Sequence, residues 1–457
     1  MAALSKRKIE IVRTLVEAAP DRVVGSLQMA LAETVDDSAL GSVRQLVEAE
    51  ASERRFRNLV LQPVVPLCVG DGRDPKALRF PARALALIWR GLRASAADEI
   101  EEALEAFHEF NPEETSAEAF DRLARIAAYG LRARAFPEFL AAAELCDAAR
   151  AGGAEQLAAC LDLSPVVRRA TLRIPEWLAS FNEESSAATR LAYKDAVAIA
   201  EDAGPRFFEM LAAQMAHPWM VLRIISEVMY KPNERYLADS EMAVFGERVM
   251  DDIDEALKAI AKLDIDGGPE AGRLAGKRVE LITLQITELE TCIDLSKEHG
   301  WGHRIAKQKT TLASVVDGRL RDTDKHVVAA LPTQPPSLRR IRRLMPRLTL
   351  PPDPVQVARA TALLTFVQEV RTSANYGGFA ATRAKLLEKL GDYIDHYVDE
   401  AIDLVKTGDA EDEGVAQAFL EVAAGFILLM RGEKDADLVR RRVAAASQPD
   451  LPLVEEA

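Results

Sequence analysis

The sequence predicts an all-α protein: a multi-helix bundle followed by a smaller C-terminal helical bundle. Three observations carry this prediction. Ala, Leu, Glu and Arg, all strong helix formers, fill long stretches of the 457 residues. Apolar residues recur at three-four spacing over most of the chain. Clusters of Gly, Pro and Asp cut it into runs of roughly 12–28 residues, close to ordinary helix lengths. Tandem helical hairpins would make a solenoid, and a degenerate one is the alternative for the N-terminal part, although no fixed period or repeated consensus is present.

The first run, "MAALSKRKIEIVRTLVEA", has charges interrupting its apolar residues and lacks the unbroken apolar stretch of a signal peptide. Pro20-Asp21 ends it. The stretch "NLVLQPVVPLCVGDG" is the best strand candidate, but Pro63 and Pro66 make it an irregular connection. Further breaks fall at "FNPEETS", "AGGAEQ", "EDAGPR", "AHPW", "DIDGGPEAG" and "EHGWGH".

The helix predicted over Gly272–Glu298 has one apolar line at Val279, Ile282, Ile286, Leu289 and Ile293. A second runs along Leu281, Leu284, Cys292 and Leu295, which places this helix at the centre of a bundle. In "EHGWGHR", Gly300 and Gly302 break the helix between His299 and His303, with Trp301 anchoring a tight turn. Asp353 precedes Pro354 as an N-cap precedes a first-turn proline. In 379–406, Leu387, Leu390, Ile394, Tyr397, Ala401 and Leu404 form one seam. Asp392, Asp395, Asp399 and Asp403 make an acidic face opposite it. The run Val415–Met430 is very apolar, but it contains Glu421 and reads as too short to span a bilayer.

By domain, the sequence reads as an N-terminal helical region (1–331), a Pro/Arg-rich linker (332–353) and a C-terminal bundle (354–446). The linker holds "SLRRIRRLMPRLTLPPDP", five arginines within eleven residues of a chain whose net charge is -14. Between Pro336 and Pro346 a short amphipathic helix would set Leu338, Ile341, Leu344 and Met345 against Arg339, Arg340, Arg342 and Arg343, with Arg347 beyond. Three uses compete for these arginines. They could clamp the linker onto the acidic face, bind an acidic protein partner, or touch anionic lipid headgroups. The acidic balance makes generic nucleic-acid binding unfavourable.

No catalytic signature is found: neither GxxxxGK[ST], GxGxxG after a strand, nor a GxSxG elbow. Asp392, His396 and Glu400 share one helical face, but no second Glu-x-x-His element supplies the remaining ligands, so neither metal nor cofactor is expected. The scattered cysteines, Cys68, Cys146, Cys160 and Cys292, suit a reducing compartment. Abundant Ala and Arg with less Lys point to a GC-rich bacterial genome. The expectation is a cytoplasmic, non-enzymatic scaffold or adaptor with an unidentified protein partner. The alternatives are an enzyme with a motif-free helical pocket, or a peripheral membrane or nucleic-acid-associated protein using the arginines.

Overall fold

In the computed structural model the described residues are 6–33, 39–68, 77–109, 117–143, 153–335 and 344–446. They form twenty α-helices, three short 3₁₀ turns and one two-stranded ribbon, so the fold is all-α. The chain divides into two compact units, Met1–Lys231 and Pro232–Ala457. The boundary between these units falls at Lys231, and the described residues 332–335 and 344–353 belong to the second unit.

The first unit contains α1 (Lys6–Ala18), α2 (Asp21–Leu31), α3 (Ala39–Val60), α4 (Arg83–Ser95), α5 (Ala97–Glu109) and α6 (Glu118–Arg132). It continues with α7 (Pro137–Ala143), α8 (Gly153–Asp162), α9 (Ser164–Ala179), α10 (Glu183–Ile199), α11 (Ala203–Ala213) and α12 (Val221–Val228). After α3 the two prolines of "QPVVP" stop the helix. A 3₁₀ turn, Val65–Leu67, follows, and Cys68 makes a single bridge with Phe80. Phe56 of α3 packs edge-on against Trp89 of α4, with ring centroids 5.6 Å apart. Phe136 wedges between Gly91 and Gly130; a Cβ at either glycine would lie 2.4 Å from its ring. Val16, Val24, Val47 and Ala51 make a smaller separate core under α1–α3.

The second unit contains α13 (Glu234–Ala238), α14 (Ala243–Ala261), α15 (Gly268–Cys292), α16 (Gly300–Ala330), α17 (Pro354–Glu369), α18 (Ala380–Thr407), α19 (Glu413–Arg431) and α20 (Glu433–Ala446). Helix α15 buries Val279, Ile282, Ile286 and Leu289, as its first apolar line predicts. The second line is only partly buried, because Leu284 is exposed while Gln285 and Glu288 are inside. Gly272 and Gly276 let α15 approach α17 closely. A Cβ at Gly272 would lie 2.0 Å from the Ala362 carbonyl oxygen, and one at Gly276 would lie 2.3 Å from the Glu369 Cβ.

Helix α16 starts at Gly300, inside the predicted turn, and Trp301 is buried against Gly246. Its first turn is capped from a distance. The buried Glu234 carboxylate accepts N–H bonds from Ser296 (2.8 Å), Trp301 (2.5 Å) and Gly302 (3.2 Å). Asp353 caps α17 as read from sequence, accepting the Val355 N–H at 2.9 Å. In α18 the seam runs through Leu390, Ile394, Tyr397 and Ala401, with Leu386 more deeply buried than Leu387. Helix α19 corrects the expectation from Val415–Met430: by length and composition it is long and apolar enough to cross a membrane. Its buried side, Phe419, Leu420, Ala423, Phe426 and Ile427, packs against α17, α18 and α20.

Candidate functional site

The Pro/Arg-rich stretch is held at a narrow neck. Strands β1 (Thr333–Gln334) and β2 (Met345–Pro346) pair antiparallel, Thr333 opposite Pro346 and Gln334 opposite Met345. The Arg347 N–H donates to the Pro332 carbonyl at 2.9 Å, extending the closure by one bond. Helix α18 fixes both sides of the neck. The Tyr393 hydroxyl donates to the Leu331 carbonyl, and His396 Nε2 lies 3.2 Å from the Leu344 carbonyl. Burial and the Asp324 carboxylate keep the Tyr393 phenol protonated above its ordinary range, so this donor persists at neutral pH. Lys389 of α18 also bonds Asp324 of α16 at 2.7 Å.

Arg339, Arg340, Arg342 and Arg343 lie outside the described residues. Arg347 is exposed and makes no ion pair among the described residues. The short helix predicted between Pro336 and Pro346 is corrected at its C-terminal end. Met345 and Pro346 are extended and paired, because proline tolerates an edge strand but not a helix interior.

On the acidic face of α18, Asp395 receives a two-pronged bond from Arg431, 2.8 Å to each oxygen. That bond holds the Arg431 guanidinium above its ordinary pKa, with Asp392 adding to the field. Asp399 takes Arg442 at 2.6 Å. Asp392 and Asp403 are exposed. Sequence reasoning missed Arg431 and Arg442. Their positions at the end of α19 and within α20 give the only local signal, since a basic residue near a helix end is ordinary.

His396 Nδ1 sits 3.8 Å from Glu400 and Asp392 is exposed, so this face does not converge. Among the described residues no three His, Cys, Asp or Glu side chains come together as a metal-holding group. A cleft of about 400 Å³ lies between α19 and α20, lined by Gln417, Leu420, Glu421, Arg440, Val443 and Ala444. Arg440 crosses it to Glu421 (2.9 Å) and Asp437 (3.2 Å), so its charged groups satisfy each other.

The other unusual surface is apolar. In the first unit, Ile11 and Leu15 of α1 are 53% and 65% exposed, and Met29 of α2 is 75% exposed. Val23, Leu27 and Leu40 add to the same three-helix region. No protein-family model matches the chain, and comparison with curated proteins and with solved structures gives no match to either.

Proposed function

We propose that this chain is a cytoplasmic, non-enzymatic helical scaffold or adaptor that acts through protein–protein interaction. The observation that carries the reading is the exposed aliphatic set on α1 and α2, above all Ile11, Leu15 and Met29. Fully burying such a side chain gains about 1.5–3 kcal/mol, so covering these three favours association with a partner. The scale of this region fits docking: three helices over one small core, with charged residues around the aliphatic positions. The test is affinity purification of the full chain from the organism that encodes it, with partners identified by mass. Wild type and an Ile11→Ser, Leu15→Ser, Met29→Ser variant are compared. The reading expects a partner recovered with wild type and lost from the variant, with helical content unchanged. A partner retained at wild-type level by the triple variant overturns it.

A further inference from the structure

Two exposed faces of the first unit are alike in apolar content and opposite in charge. On α1, Ile11 and Leu15 stand one turn apart. The exposed Arg7 and Lys8 lie on the same side, within roughly 80° of them around the helix. Neither cation makes an ion pair among the described residues. The carboxylates of this helix point elsewhere. Glu10 pairs with Arg13 at 3.4 Å, and Glu10 and Glu17 lie roughly 100–160° around from Ile11 and Leu15. Helix α5 carries the complement. Leu104 is 41% exposed and Phe107 is 37% exposed. Asp98, Glu101 and Glu105 follow three-four spacing along a line beside Leu104. All three are exposed and make no ion pair among the described residues, whereas Glu102 is engaged by Arg122 at 2.6 Å. No Lys or Arg occurs in Ala97–Glu109. Both faces stand exposed, so neither covers the other within one copy.

We propose that α1 of one copy docks on α5 of a second copy of this chain. The inference rests on the reading of the α1 face as a protein-binding surface and names its occupant. Charge complementarity selects the second copy. Cations flank aliphatic side chains on one face, and carboxylates flank apolar side chains on the other. Each copy offers both faces, so two copies related by a two-fold axis make the contact twice. The doubling matters, because exposed ion pairs contribute little singly. The net charge of -14 opposes association at long range. At physiological salt that repulsion is screened beyond about 8 Å, while charges on touching faces stay within reach of each other. An anionic lipid surface fits α1 alone and repels the carboxylates of α5.

Sedimentation equilibrium of the full chain, at up to about 100 µM, tests this. Wild type should show a mass above that of one chain, falling on dilution. Arg7→Glu with Lys8→Glu should weaken association at least about tenfold, and so should Glu101→Lys with Glu105→Lys. Ile11→Ser with Leu15→Ser should do the same. Mixing the two charge-reversed variants should restore association, because each reversed face then meets its complement on the other copy. These side chains are exposed, so circular dichroism should not change. Monomeric wild type, or association that both charge reversals leave intact, overturns the inference. So does a mixture of the folded reversed variants that stays monomeric. A monomer that captures a different protein through Ile11 and Leu15 also overturns it and leaves the reading of the α1 face standing. One that captures only phosphatidylserine vesicles overturns both.

Discussion

Arg54 shows how single residues hold this protein together. Its buried guanidinium bonds Glu50 (2.7 Å), Asp21 (2.8 Å) and the carbonyls of Val16 (3.0 Å), Glu17 (3.1 Å) and Ala19 (2.7 Å). The Glu17 carbonyl is among the acceptors that the end of α1 leaves without a helical partner, Ala19 lies just beyond it, and the Val16 carbonyl also takes the Ala19 N–H. Arg54→Ala should cost roughly 3 kcal/mol, because the Glu17 and Ala19 carbonyls and the Glu50 carboxylate lose this donor at once, while Val16 keeps the Ala19 N–H and Asp21 keeps Arg57. Arg54→Lys should recover less than half of that, since an ammonium cannot reproduce the planar fork. Urea denaturation of both variants checks the order; a lysine variant as stable as wild type would refute the fork. Lys231 makes the opposite case. It sits at φ 56°, next to Tyr230 at φ 55° and just before Pro232, where left-handed backbone is disfavoured for a side chain. Tyr230 is braced by Arg190, whose guanidinium lies 4.5 Å from its ring, whereas Lys231 is held only through its N–H bond to Ser226. Lys231→Gly should therefore stabilise the protein by about 0.5–1 kcal/mol and raise its melting temperature.

Between helices, the Arg54 arrangement recurs. Arg168 donates to Leu59 and Val60 at the end of α3, Arg223 to Leu178 of α9, Arg319 to Ala261 of α14, and Arg383 to Val367 of α17. Burial pushes the Arg168 guanidinium below its ordinary pKa while Asp121 pulls it back; arginine stays charged through such a shift. Glu234 does the converse job at the start of α16. None of this was legible in the sequence. The partners are far apart along the chain, as with Arg168 and Val60 at a separation of 108, and nothing local marks an arginine as a cap for another helix. The α18 seam was legible, because Leu390, Ile394, Tyr397 and Ala401 need only helical periodicity to be found. The Gly272–Gly276 spacing lay in plain view but gains meaning only once α17 crosses there. Gly272→Val should destabilise the second unit by about 2–4 kcal/mol, since the clash is with backbone that cannot rotate away. A thermal melt unchanged by this substitution would show that the two helices are not in close contact.

At the scale of the whole molecule, the division after Lys231 escaped sequence reading for a physical reason. No Gly, Ser or charge run marks it; what stands there is a left-handed backbone pair at Tyr230 and Lys231, which linker composition does not announce. The Pro/Arg-rich stretch looked like a boundary because of its prolines, yet the ladder and α18 hold its neck within one unit. Both units share a sensitivity to alkali. In the first, burial pushes the Cys68 thiol up to about 12, with Arg57 pulling it partly down, and burial also raises Cys160. In the second, burial raises the phenol of Tyr397, whose hydroxyl finds no hydrogen-bond partner, and that of Tyr393. Each group holds its proton more tightly folded than unfolded. Its stabilising contribution is complete below the unfolded value, about 8.5 for a thiol and about 10 for a phenol, and is lost as pH climbs towards the folded value. For each buried group the loss is on the order of 1.4 kcal/mol per pH unit across that window. Urea midpoints should thus hold steady from neutral pH to about pH 8.5 and fall steeply by about pH 10.5. Cys68→Ala should make the fall shallower. Tyr397→Phe should do the same above about pH 10, and near neutrality it should be neutral or stabilising, because it removes a buried hydroxyl that bonds to nothing. Midpoints that stay level to about pH 10.5 would mean that water reaches these groups in the folded protein.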